Sequence, residues 1–275
     1  MGLRINTNVP SLQTQRNLNN ASEAASSSYA KLSSGNRITK SADDAAGLSI
    51  STNLEAQVRG LKQAQRNAND GISLVQTAEG GINEVSNILI RFRELSVQAA
   101  SDTIGDTERG FINKEVQSLK SEMDRIAKTT SFNGTPLLSG EGKELSFQVG
   151  TGSSAENHIM FDPRKSDVRA DTLGVGGIDV SSRDAASDAL GKIDGAIKSV
   201  NENRSELGAM QNRLHSTGQS LGIATENLSE ARSRISDTDV AAETSSLIKN
   251  NILQSAGVSV LAQANSVPNS ALKLL

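Results

Sequence analysis

Between Ile193 and Ile235 apolar side chains return at every seventh position, at Val200, Leu207, Leu214, Leu221, Leu228 and Ile235, with no proline among them. A seven-residue period keeps one seam of a helix turned toward a partner over many turns, so the pattern predicts a long rod-like helix. At 1.5 Å per residue the stretch spans on the order of 60 Å. Four residues after these apolar positions stand Arg204, Gln211, Gly218, Thr225 and Arg232. A half-polar seam of this kind is a poor free-standing zipper and needs partners from elsewhere in the chain.

The rest of the chain supplies candidates. Asn6 to Pro10 reads as an extended lead, because proline disfavours helix at the residue before it and suits the first turn of a helix that follows. The helix to about Leu32 has a thin apolar face of Leu18, Ala21, Ala25 and Leu32, too little to hold it folded alone. Ser33-Ser34-Gly35-Asn36 is a helix stop. A polar link follows, in which Ser41 with Asp44 three residues on forms a capping-box-like start. From there Leu54, Val58, Leu61, Ala68, Ile72, Val75, Ile82, Val85, Leu89, Phe92 and Ala99 step by three and four along a second long helix once Gln65, Glu79 and Ser96 are admitted as polar members. Asn69-Asp70-Gly71 and Gly80-Gly81 are turn-like, and predict a break or bend near one of them. After Ile104-Gly105-Asp106, a third helix carries Ile112, Val116, Leu119, Met123 and Ile126 and packs antiparallel on its predecessor.

At Asn133-Gly134-Thr135-Pro136 the helical half ends, and the period falls from seven to two. Leu145, Phe147 and Val149, a Gly150–Ser154 turn and Ile159-Met160-Phe161 predict a β-hairpin. Residues 163–182 are Gly-rich and polar, either a further weak hairpin or a surface loop. Beyond the heptad rod, Ser236 to Asp239 breaks the chain before a last helix over Val240–Ala264. There Leu247, Ile248, Ile252, Leu253, Val258, Val260 and Leu261 spread around most of the girth, an arrangement that several neighbours must bury. The fold class is therefore mainly α: a long antiparallel helical bundle or coiled-coil rod with a small β-hairpin region.

Composition narrows the function. The chain has 275 residues, no Trp, no Cys, one Tyr and five Phe, which excludes thiolate chemistry and a wide aromatic core. With 28 Lys plus Arg against 31 Asp plus Glu, the net charge of −3 offers no basic field for nucleic acid or an anionic membrane. No apolar run is long enough to span a bilayer, and the opening residues lack a secretory h-region, so export is expected by a route that cleaves no signal peptide. His158 and His215 read as surface residues. Asp43-Asp44 and Asp237 with Asp239 sit at helix starts, where carboxylates favour the positive end of the helix dipole. No catalytic, cofactor or metal constellation emerges, and an enzyme is the weakest of the classes considered.

Several segments resemble bacterial flagellin: Ile5-Asn6-Thr7-Asn8, Leu32-Ser33-Ser34-Gly35-Asn36-Arg37-Ile38, Asp43-Asp44-Ala45-Ala46-Gly47-Leu48, Arg66 to Ser73, Phe132-Asn133-Gly134, Ser236 to Glu243 and Leu261 to Asn265. The likeness covers roughly residues 1–165 and 183–275, with no room near 163–182 for the outer domains of larger members, and the chain closes on Ala271-Leu272-Lys273-Leu274-Leu275 without the family's usual final Arg. It implies a secreted filament subunit whose ends, residues 1–40 and 236–275, pair as an inner core domain around Leu18, Leu32, Leu247, Ile248, Ile252, Val258 and Leu261. Residues 41–235 then form the rod, with the hairpin region at about 137–182. Implied partners are further copies of the chain, the flagellar export apparatus with its flagellin chaperone, the filament cap and junction proteins, and a vertebrate innate immune receptor. For that receptor the resemblance points to Arg91, an exposed Leu95 on the same helix face, and Glu115 alongside. Two other readings are a hook-filament junction protein, similar at both ends, and a soluble coiled-coil signalling scaffold.

Overall fold

The computed structural model describes residues 7–272, with side chains up to residue 266. Ile5-Asn6 and the closing Lys273-Leu274-Leu275 lie outside the described residues. The elements in order are α1 (Val9–Ser34), α2 (Ala45–Ala99), α3 (Asp106–Thr129), β1 (Ser131–Phe132), β2 (Thr135–Pro136), β3 (Leu145–Gln148), a single 3-10 turn at Ala155–Asn157, β4 (His158–Phe161), α4 (Arg183–Ser236) and α5 (Val240–Leu272). Two compact units result: Met1–Gln57 with Asn227–Leu275, and Val58–Glu226. The division falls within α2 and α4.

In the first unit α1 and α5 run antiparallel with close backbones. Asn8 caps α1 by accepting from the Ser11 amide at 3.2 Å, and its Nδ2 donates to the Ala264 carbonyl at 2.8 Å. Helix therefore starts at Val9, inside the extended lead read from the sequence, because this cap outweighs the bias that Pro10 imposes on its neighbour. Gly35, at φ 71, ends α1 in the left-handed conformation. Residues beyond it pair with the end of α4: Thr238 N donates to Gly35 O at 2.9 Å, and Arg37 N to Ser236 O at 2.7 Å. The start of α2 is capped by Asp44, not by a Ser41 box. Asp44 Oδ1 accepts from the Gly47 amide at 2.8 Å, and a Cβ on Gly47 would collide with that carboxylate. Asp43 instead accepts from the Thr39 and Lys40 amides, bonds that hold its carboxyl below the usual range. Asp239 caps α5 through the Ala241 and Ala242 amides.

The second unit holds the main core. Here α2 is unbroken from Ala45 to Ala99, contrary to the break expected at Gly71 or Gly80-Gly81. The glycines serve close packing instead. A Cβ on Gly81 would stand 2.6 Å from Leu138 Cδ1 and 2.7 Å from Thr130 Oγ1. Helical hydrogen bonds continue through such a site, and the buried contacts on it outweigh glycine's cost of about 1 kcal/mol. Two heptad series run down α2: Val75, Ile82, Leu89 and Ser96, and Leu74, Gly81, Ile88 and Leu95. Both are buried, because α2 packs on more than one partner. Arg109, 8% exposed, closes the α2–α3 turn by donating to the carbonyls of Ala99 at 2.9 Å and Ser101 at 3.0 Å.

Asn133 (φ 49) and Gly134 (φ 77) form a two-residue turn between β1 and β2, a hairpin where the sequence marked only a helix stop. β3 pairs β4 antiparallel with Leu145 opposite Phe161 and Phe147 opposite Ile159, as the alternation predicts. Residues 163–182 form neither a hairpin nor a surface loop. Val168, Ala170, Val175, Ile178 and Val180 are all buried in the core. Irregular backbone inside a core needs polar partners, and one face of α3 supplies them. Asn113 accepts from Val180 N, Gln117 donates to Ile178 O, Lys120 donates to Gly176 O, and Asp124 accepts from Ala170 N.

Candidate assembly surfaces

On the heptad rod, Val200, Leu207, Leu214 and Leu221 are buried in the second unit, while Leu228 and Ile235 are half-buried in the first. This seam is internal packing material. The terminal helices differ in kind. Ala21, Ala25 and Ser28 are buried on α1, so the pair closes through small side chains that let the backbones approach; a Cβ on Gly257 would stand 3.3 Å from Leu18 Cδ1. Leu18, Leu32, Leu247 and Leu261 are half-buried along it.

Closing on small residues leaves the large ones outside. Ile248, Ile252 and Val258 are 54%, 62% and 57% exposed, and Val9, Leu12, Tyr29, Val240, Leu253 and Val260 are also exposed. At about 25 cal/mol per Å² of apolar surface, leaving a row of such side chains in water forgoes several kcal/mol. Exposed apolar surface on this scale marks an interaction site. Spacing alone showed α5 to be apolar around most of its girth; which residues α1 covers depends on the register of the pair, which no local pattern encodes.

A second surface lies on α2 and α3. Arg91 donates to Glu115 Oε1 from Nε at 3.0 Å and Nη2 at 2.8 Å, and from Nη1 to Glu94 at 3.0 Å. The bond to Glu115, then that to Glu94, raises the guanidinium pKa. The structure thus brings Arg91 and Glu115 together on one surface. Leu95 does not join them: it is 2% exposed, which corrects the expectation of an exposed anchor. As part of the second heptad series of α2 it turns into the core, away from the Arg91 face.

Among the described residues no group of acidic or imidazole side chains is arranged to hold a metal ion. His158 Nδ1 lies 2.8 Å from the Ser146 hydroxyl across the hairpin, and His215 is exposed. Asp43, Asp44 and Asp239 cap backbone amides.

Long helices with interrupted apolar coverage at both chain ends define a structural subunit that self-associates. The comparisons with known proteins agree. Residues 5–143 match the bacterial flagellin N-terminal helical region and residues 190–275 the bacterial flagellin C-terminal helical region. A flagellin of Halalkalibacterium halodurans is 44% identical over 98% of this chain and 99% of its own length. The flagellin of Bacillus subtilis is 40% identical over 99% of this chain and all of its own. The crystal structure of Bacillus cereus flagellin superposes with a TM-score of 0.51 at 32% identity, covering 57% of this chain and 88% of that one. A putative flagellar hook-associated protein of Vibrio parahaemolyticus shares the fold, with a TM-score of 0.59 at 17% identity over 71% of this chain and all of its own. The chain belongs to the bacterial flagellin family. It is a structural filament subunit and not an enzyme, and full-length flagellin matches disfavour the hook-junction reading.

Proposed function

We propose that the α1–α5 pair, within residues 1–40 and 236–275, is the filament-core domain, and that its exposed apolar row of Ile248, Ile252 and Val258 is buried by neighbouring copies. The exposure of that row in the single chain is the observation that supports this reading. A subunit that presents different surfaces head to tail does not close on itself and grows as an open helical polymer. The polymer forms the extracellular filament, and the resemblance adds export of the unfolded chain through the flagellar apparatus with its chaperone, growth beneath the cap protein and attachment through the junction proteins. The test is truncation. Chains lacking residues 1–32 or 240–275 should keep a folded Val58–Glu226 unit by circular dichroism and fail to polymerise by electron microscopy. Filaments of normal length from either truncation would reject the assignment.

A second role rests on the Arg91–Glu115 ion pair, which sets two residues of the resembling receptor site side by side. The vertebrate innate immune receptor for flagellin reads this surface in the monomer, and Leu95 supports it from within.

A further inference from the structure

The unit Val58–Glu226 carries one projecting knob and one recess of opposite character. The knob is Phe111, 63% exposed at the start of α3, with the Lys114 ammonium 5.8 Å from its ring centre. Lys114 forms no ion pair among the described residues. The recess lies between β4 and α4. It is lined by the exposed Met160, by Leu207 and Met210, and by Glu144, Asp162, Glu206 and Lys165. Asp162 is occupied by Arg164 at 2.8 Å, and Glu144 also acts on that guanidinium, whereas Glu206 has no ion pair among the described residues. A cation on an aromatic therefore exists on the same chain as a methionine-lined recess edged mostly by carboxylates, of which Glu206 has no ion pair among the described residues.

The knob cannot reach the recess of its own chain. Arg91 meets Glu115, so Phe111 and Lys114 lie level with residues 92–95 of α2. Gly71 meets Leu214 and Arg93 meets Asp194, so Glu206 to Met210 lie level with roughly residues 76–80 of α2. The offset of some 15 residues is on the order of 20 Å along rigid helices. A knob and a recess that cannot meet within one chain can meet only between copies, and such a heterologous contact leaves both ends open for further growth.

We propose that the Phe111–Lys114 knob of one copy seats in the Met160–Met210 recess of a neighbouring copy in the polymer. Phe111 then packs on thioethers, a favourable aromatic contact, and Lys114 leaves its own ring for Glu206 and Glu144. Methionine side chains adapt to an incoming ring, and the charged residues beside them fix its orientation. This inference rests on the polymerisation reading above and names one contact within it.

Because the chain has no cysteine, the contact can be tested by a disulfide in the assembled filament. A Lys114→Cys, Glu206→Cys double variant is polymerised under reducing conditions, checked by electron microscopy, then oxidised and run on a non-reducing gel. A ladder of covalent multimers is expected from the double variant and only monomer from each single variant. Normal filaments without a ladder, or dimers from either single variant, would overturn the proposal. Where the double variant does not polymerise, the charge swap decides. Lys114→Glu and Glu206→Lys should each raise the critical concentration by about tenfold or more, and the two together should return it most of the way; no recovery overturns the contact. Failure of wild-type protein to polymerise at all would instead count against the filament reading itself.

Discussion

Leu214 of α4 rests directly on the bare Cα of Gly71 in α2: a Cβ at residue 71 would stand 3.2 Å from Leu214 Cδ1 and 3.3 Å from Phe147 Cγ. One glycine thus receives a leucine from the rod and a phenylalanine from the hairpin. The seam of α4 and the flat side of the hairpin both depend on this missing side chain.

Leu214→Ala should cost about 2 to 5 kcal/mol of unfolding free energy, the range for a fully buried leucine whose site cannot collapse. Arg204, exposed and ten residues earlier on the same helix, should shift stability by no more than about 0.5 kcal/mol when changed to Ala. Denaturant titration of the monomeric protein measures both, and equal effects would show that the seven-residue seam is not the packed face.

Gly80 and Gly81 should respond in opposite directions to alanine. Nothing lies within 4 Å of a Cβ on Gly80, so Gly80→Ala should stabilise by about 0.5 to 1 kcal/mol through helix propensity. Gly81→Ala gains the same propensity but drives into Leu138 and Thr130. Overpacking costs of about 1 to 3 kcal/mol should leave it a net loss. Melting temperatures of the two variants, compared with wild type, give the answer.

Ser96 is fully buried in α2, and its hydroxyl has no hydrogen-bond partner. An unsatisfied buried polar atom costs about 1 to 3 kcal/mol, so Ser96→Ala should raise the unfolding midpoint. A fall of more than about 1 kcal/mol would show instead that a water or a neighbour satisfies the hydroxyl.

Asp167 predicts a pH dependence. Burial pushes its carboxyl pKa up, but hydrogen bonds from the Arg169 guanidinium, the Thr172 hydroxyl and the Arg169 amide outweigh burial and bring it below the usual value of 3.8. The folded state then binds this proton less well than the unfolded chain. Its contribution to stability is complete above about pH 4 and is lost as pH falls through the lower folded value. Unfolding midpoints between about pH 2 and 7 should fall more steeply at the acid end for wild type than for Asp167→Asn. Parallel curves would contradict the linkage.

For the receptor surface, Arg91→Ala and Glu115→Ala monomers should lose signal in a receptor reporter assay, and intact wild-type filament should signal less than monomer. Undiminished signal from both variants would reject the site. Leu95→Ala is expected to act through stability, so its loss of signal should track its loss of folded protein.

The sequence by itself determined the mainly helical class, the β3–β4 hairpin and the family. Heptad spacing in α4, the three-and-four steps of α3 and the alternation of β3 are local periodicities, imposed because each element must turn one face to a core whatever its partners. Only the tertiary structure decided which partners those are. Gly71 and Gly81 read as turn residues in isolation and became packing sites because Leu214 and Leu138 press on them. Leu95 read as surface on a single-seam helix and became core because α2 carries two seams. Residues 163–182 show no period at all, since their apolar side chains are placed one at a time by bonds from Asn113, Gln117, Lys120 and Asp124 rather than by regular structure. The apolar row on α5 is decided the same way: all of its residues are equally apolar in sequence, and it is the close, small-residue pairing with α1 that leaves Ile248, Ile252 and Val258 exposed.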